Sequence, residues 1–222
     1  MTRLRLAFCC WLLCAGVAQS QEYITTQGPL SDDAFYRLVS CAAPPGGACQ
    51  KDVVRWAPRK ARNLTVGITR IDDRFPNRNA ARIRTAMTQA AREITDLNAG
   101  VAITTTTRNP DISVLLLDHP EHTPLQGTGI AGLDGNMIEA AYVHIWWNGR
   151  KQITRGVIVF TPHVALDGIT SVMLEELTQS LGLLTDIRNP DYRHSSIFSQ
   201  DSNQVTVLRG QDAMAVRTHY AR

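Results

Sequence analysis

Between Asp167 and Leu184 apolar side chains recur at helical spacing, and this segment constrains the fold more than any other. At 100° per residue Ile169, Met173, Leu177, Leu181 and Leu184 gather on one side with Ser180, so the helix needs a core to face. Two adjacent glutamates ride on it. Glu176 stands at the edge of the apolar face, and Glu175 lies further round, one turn from Gln179. A carboxylate held at an apolar edge has a raised pKa, which suits proton transfer. The plainer reading is a solvated pair in which Glu176 only bonds a neighbouring loop. The helix alone leaves both open.

The segments ahead of it supply the core. Residues 31–40 read as a short helix. Leu64–Arg70 alternates like a strand, and a helix from about Asn79 to Leu97 carries Ile83, Met87, Ala90, Ile94 and Leu97 on one face, ended by Asn98-Ala99-Gly100. Val101–Thr107 and Asp111–Leu117 are two further strands, split by Asn109-Pro110. A glycine-rich stretch from His119 to Ala140 follows. Tyr142–Trp147 and Ile153–Phe160 flank Asn148-Gly149, a hairpin signal. After the motif helix (about Asp167–Leu181) comes a loop over 183–204 and a last helix at Gln211–Tyr220. The order predicts an α+β domain: a twisted mixed sheet of about five strands, a backing helix, the motif helix and a C-terminal helix. No repeat or linker divides it.

The first twenty residues predict a signal peptide. Arg3 and Arg5 precede an apolar run from Leu6 to Ala18, and Ala18-Gln19-Ser20 is a small-x-small cleavage site. The run is too short for a membrane span. We therefore expect three parts: 1–20 signal peptide, 21–62 an N-terminal extension, and 63–222 the main domain, in a periplasmic or secreted bacterial protein. Cleavage would leave 202 of the 222 residues and remove two of 23 basic ones, giving 21 against 20 acidic residues and a net charge of +1 instead of +3. With so little basic surplus and no basic stripe, nucleic acid is not an expected partner. The oligomeric state is not legible.

Cysteine usage agrees with that compartment. Cys9, Cys10 and Cys14 leave with the signal; Cys41 and Cys49 remain, bracketing seven small residues. A lone close pair in an oxidising space reads as a disulfide, whereas a redox-active dithiol would want C-x-x-C spacing.

The segment 174–186, Leu-Glu-Glu-Leu-Thr-Gln-Ser-Leu-Gly-Leu-Leu-Thr-Asp, resembles the active-site helix of the metzincin branch of the zincin metalloproteases. Their H-E-x-x-H motif presents two histidine ligands one turn apart, with a glutamate as base. Here Glu175 and Gln179 stand at the histidine positions and Glu176 at the base. Gly182 keeps the turn, and Thr185, next to Asp186, stands where the third ligand belongs. Ser196-Ile197-Phe198 looks like a Met-turn with phenylalanine in place of methionine. Gln211-Asp212 and His219-Tyr220 resemble the ends of the final matrixin helix. With Cys-Ala-Ala-Pro-Pro-Gly-Gly at 41–47, these elements also resemble an uncharacterised family of secreted bacterial proteins known only as a domain of unknown function.

The resemblance implies a protease frame without its zinc, so no cofactor is expected. Gln179 and Thr185 are poor zinc ligands. Glu175, Asp186, Asp191 or His194 would make an oxygen-rich set better suited to calcium, magnesium or manganese. Three functions follow as expectations: a pseudo-protease that binds peptide or an envelope protein without cleaving it; a hydrolase with rewired chemistry in which Glu176 is the catalytic base; or a structural envelope protein. Trp146 and Trp147 point to opposite faces of their strand. One of them, with His194, is a candidate for lining the substrate cleft. The glycine-rich stretch is either a mobile loop over that cleft or a long connection, and Asp134 and Asn136 supply too few oxygens for a cation by themselves.

Overall fold

In a computed structural model, residues 23–221 are described. The expected signal peptide, with Cys9, Cys10 and Cys14, lies outside them.

The elements run β1 (Tyr23–Thr25), α1 (Asp32–Cys41), β2 (Arg55–Trp56), α2 (Pro58–Ala61), β3 (Leu64–Ile71), α3 (Asn77–Asp96), β4 (Ile103–Thr105), β5 (Ile112–Leu116), β6 (Thr123–Pro124), β7 (Met137–Ile138), β8 (Ala141–Trp147), β9 (Gln152–Phe160), α4 (Ile169–Gln179), β10 (Asp186–Arg188) and α5 (Gly210–His219). A single 3-10 turn at Pro190–Tyr192 follows β10. The class is α+β with a mixed sheet, as expected, and the order of long elements is the expected one.

The main sheet has six strands. Its backbone is β4–β3–β5–β9, all parallel, and β8 closes the far edge antiparallel to β9. The sixth strand is β2, which pairs parallel with the first two residues of β9 ahead of where β5 takes over. Two residues carry no periodicity, so β2 was not legible as a strand. The expected strand at Val101–Thr107 shortens to Ile103–Thr105 because its partner β3 pairs with it only over Leu64–Val66.

Period-two alternation divides the sheet's side chains between two cores. Ile112, Val114 and Leu116 of β5 and Ile158 and Phe160 of β9 face the helices; Leu115, Leu117, Val157 and Val159 face the other way. On the helical side α3 buries Ile83, Met87, Ala90 and Ile94 and packs against α4. On the other side the 119–140 stretch lies over the sheet, sinking Leu125, Leu133 and Ile138 completely. It forms a covering connection across the outer face and also reaches the larger cleft with Asn136. Asp134 serves the loop itself: its carboxylate accepts from the Thr128 N–H at 3.0 Å and from the Thr128 hydroxyl.

Residues 23–62 share the helical core. Phe35, Leu38, Val54 and Trp56 are buried in it, α1 packs on α5, and β1 pairs in parallel with β10. Cys41 at the end of α1 is joined to Cys49 by a disulfide with Cα atoms 5.1 Å apart.

The Asn148-Gly149 hairpin is corrected in detail. The connection spans four residues, 148–151, and Lys151 rather than Gly149 takes the left-handed position, at φ +59°. The Asn148 side chain organises it, its Oδ1 accepting the N–H groups of Arg150 and Gln152 at 2.9 and 3.1 Å. An irregularity between Trp146 and Trp147 shifts the register and leaves room for the longer turn.

Candidate functional site

α4 runs directly beneath the β8 edge, and every one of its eleven residues is buried. Its C-terminal end is clamped from two sides. Trp56 of β2 donates its indole N–H to the Ser180 carbonyl at 3.0 Å, and the Tyr220 hydroxyl donates to the Leu181 carbonyl at 2.7 Å, so two terminal carbonyls are satisfied by side chains. The chain then leaves through Gly182 at φ +107°, where a Cβ would lie 2.0 Å from the Val54 carbonyl oxygen. No other residue fits there.

Beside the clamp sits His219, fully buried. The Val54 carbonyl 2.9 Å from Nε2 can only accept, so Nε2 carries the proton and Nδ1 is left to accept from the Tyr36 hydroxyl at 3.3 Å. Burial above all pushes this imidazole down to about 4. It is a neutral structural linker.

The residues of the expected site are brought together in part. Glu175, Glu176, Gln179 and Asp186 are 6 %, 2 %, 1 % and 1 % exposed, which corrects the reading of a solvated pair. The Gln179 amide donates from Nε2 to Asp186 Oδ1 at 2.7 Å. Burial first, and then the Asp186 carboxylate, hold Glu175 and Glu176 well above the usual carboxylate range. Among the described residues Glu176 Oε2 has no hydrogen-bond partner, nor does Thr185 Oγ1. Glu176 also bears on Tyr142, whose phenol is pushed to about 12 by burial and then by that carboxylate.

Beneath this helix the Met-turn-like residues form a buried corner held by Asp212. The Ser196 hydroxyl donates to Asp212 Oδ1 at 2.6 Å, the Ile197 N–H donates to Oδ2 at 2.9 Å, and the Phe198 N–H donates to Ser196 Oγ at 3.1 Å. Phe198 is fully buried and meets Phe35 edge-on at 6.1 Å. Burial lifts Asp212 to about 7 against these two stabilising hydrogen bonds. The corner touches the motif through the Ile187 N–H, which donates to the Phe198 carbonyl at 2.7 Å.

Two cavities open along α4. The larger, about 820 Å³, is lined by Tyr142, Val143, His144, Ile145 and Trp147 of β8, by Gln179 and Leu184, and by Cys49–Asp52 with Val54 on the opposite wall. The smaller, about 70 Å³, is enclosed by Glu175, Glu176 and Asp186, by 139–141, and by Ser199, Gln200 and Asn203. Trp147, 46 % exposed, stands at the larger cleft. Trp146 packs on the outer face beneath Arg155, whose guanidinium lies 5.1 Å from the ring centroid. Trp147 thus lies at the cavity and Trp146 against the outer cluster. His194 belongs to neither cavity; it bonds Gln204 at 3.1 Å in a separate groove with Tyr192 and Gln211. Its candidacy as a cleft residue fails because the loop after β10 carries it past the corner. Asp191, in the turn after β10, likewise lines neither.

The β8 edge presents free backbone to the larger cleft. The Thr161 N–H donates to the Ala140 carbonyl, so hydrogen-bonded pairs with β9 recur every second residue, at 140/161, 142/159 and 144/157. The N–H and C=O groups of Ala141, Val143 and Ile145 therefore point away from β9, toward the open edge.

Zinc, the metal the resemblance implies, does not fit the seats it would need. Three ligands drawn from imidazole, thiolate or carboxylate are required. Here one seat is a carboxylate, one is an amide already donating to Asp186, and one is a hydroxyl. His219, buried near Gly182, has both nitrogens committed. Asp186 is drawn in as the amide's partner by the extra residue between Gly182 and itself. Ser199 and Gln200 were missed in the sequence; their one signal is that they directly follow the Met-turn-like tripeptide.

Comparison with known proteins places these observations. No curated protein matches the chain. Among solved structures, one of myroilysin aligns with a TM-score of 0.41 at 13 % identity, over 76 % of this chain and 96 % of that one. Residues 44–222 match the family described as protein of unknown function (DUF2927), and the chain belongs to that family.

Proposed function

We propose that this protein is a pseudo-protease of the bacterial envelope or exterior, a metzincin-like frame that binds an extended peptide or protein segment without cleaving it. The observation that carries this reading is the free edge of β8 along the 820 Å³ cleft. A bound strand would pair with the outward groups of Ala141, Val143 and Ile145 and thereby extend the sheet. Trp147 at the rim gives an apolar, rigid anchor of the kind that dominates binding energy. The donor set argues against hydrolysis by zinc, since Gln179 is spent on Asp186. The Cys41–Cys49 disulfide supports an oxidising compartment and fixes the start of the opposite wall.

The reading is tested by capture from a random peptide library on the purified mature chain. Extended peptides should be enriched. Val143→Pro, which removes one outward N–H from an edge strand that tolerates proline, and Trp147→Ala should each weaken capture about tenfold or more, a hot-spot-sized loss. Equal capture by both variants would contradict the assignment. A second reading, hydrolysis with Glu176 as general base, is favoured by the unpartnered Oε2 of that residue. It requires peptidase or glycosidase activity that Glu176→Gln abolishes.

A further inference from the structure

The small cavity under α4 is chemically unlike the cleft beside it. Its walls are rich in oxygen, with carboxylates from Glu175, Glu176 and Asp186, the Ser199 hydroxyl and the Gln200 side chain beside the apolar Ala140, Ala141 and Val172. Glu175 and Glu176 are at least 94 % buried, and neither forms an ion pair with a lysine, arginine or histidine among the described residues. The groups acting on Glu175 are Asp186, Glu176 and Asp212, all of the same sign. Buried carboxylates persist when they are paired, protonated or bound to a cation.

Independent of the carboxylates, the opposite wall carries neutral oxygens with nothing to do. Ser199 Oγ, in a residue 2 % exposed, has no hydrogen-bond partner among the described residues, and neither does Gln200 Oε1. Buried polar atoms without partners are rare and call for an explanation such as an ion. The cavity, about 70 Å³, has room for one ion with a water.

We infer that this cavity is a binding site for a hard divalent cation, Ca²⁺ foremost, held by no more than two of the carboxylates of Glu175, Glu176 and Asp186 on one side and by Ser199 and Gln200 on the other. No three acidic side chains converge on one point among the described residues, so the shell is mixed, with hydroxyl, amide oxygen and water completing it. Ca²⁺ accepts such mixed oxygen shells with flexible geometry; Mg²⁺ demands near-ideal octahedra and zinc prefers nitrogen or sulfur. The cation would tie α4 to the segment after Phe198. The cavity meets the peptide edge at Ala141, but its test reads the bound ion and not captured peptide, so its failure is distinguishable from that of the peptide-binding reading.

The test uses the mature chain, chelated and then dialysed, titrated with CaCl₂ by calorimetry and with Tb³⁺ by luminescence excited through the neighbouring aromatic rings. One equivalent of Ca²⁺ per chain, a raised melting temperature, and quenching of the Tb³⁺ signal by excess Ca²⁺ are expected. Ser199→Ala should weaken Ca²⁺ at least threefold and Glu175→Gln at least tenfold, while Trp147→Ala leaves it unchanged. Should Glu175→Gln fail to fold, the serine variant decides. No saturable Ca²⁺ binding to the folded wild type would overturn the site, as would equal affinity in Ser199→Ala or zinc displacing Ca²⁺ at equal concentration.

Discussion

Single residues set both the folding and the pH response of this frame. Gly182 is the clearest case. A methyl group there would penetrate the Val54 carbonyl and force a left-handed backbone on a residue with a Cβ. Gly182→Ala should cost on the order of 3 kcal/mol or more, read as a fallen denaturant midpoint. Asp212 and His219 set the pH dependence. The folded Asp212 carboxyl is raised to about 7, so the native state holds a proton that the unfolded chain releases near 4. Its contribution is full below about 4 and falls by about 1.4 kcal/mol per pH unit until pH passes about 7. The folded His219 is depressed to about 4, so its contribution has the opposite sign and grows between about 4 and 6.5. Glu175 and Glu176, raised by burial and Asp186, add to the falling arm. Stability should therefore decline from mildly acid toward neutral and alkaline pH. Melting curves of Asp212→Asn should show a shallower decline; an unchanged slope would refute the assignment of that arm.

At the level of elements, much was legible because period and length carry information. α3 with its Ile83-Met87-Ala90-Ile94 face, α4, and strands β3, β5, β8 and β9 follow from spacing, whereas α5 carries little periodicity and its ends were legible through the resemblance. The short pairings were invisible. β1, β2 and β10 have two or three residues each, and what fixes them is tertiary: β2 is held by Trp56 reaching Ser180 and β1 by its register against β10. The grouping of Glu175, Glu176, Gln179 and Gly182 was legible because one helix and its turn carry them, and the loop residues that meet them were not. His194 was read as a cleft residue from sequence proximity alone, which says nothing about where a loop turns. Burial of both glutamates was equally hidden, because the apolar face fixes only one side of α4 while β8, β10 and the 196–203 corner cover the others. Two element-scale outcomes follow. Phe198→Met, which conserves volume in the corner, should cost under about 1.5 kcal/mol, against about 3–5 for Phe198→Ala. Reducing Cys41–Cys49, or Cys49→Ser, should cost about 2–3 kcal/mol in the chain-entropy account and weaken peptide capture, since residues 49–54 form the wall facing β8.

For the molecule as a whole, the parts agree on a division of labour. The six-stranded sheet and α3 form the supporting core, α4 is fixed at its C-terminal end by Trp56 and Tyr220, and the β8 edge is left unpaired. A rigid helix beneath an open edge suits recognition of an extended chain. In the proposed reading, Gln179 and Thr185 at two of the three ligand seats keep recognition from leading to cleavage. The most direct measurement is to incubate the purified protein with a proteome-derived peptide mixture, with and without added zinc, and to map retained and cleaved peptides by mass spectrometry. The account predicts a retained set of intact peptides, the same in both conditions and lost with Val143→Pro. New peptide termini that appear with zinc and vanish on chelation would contradict it.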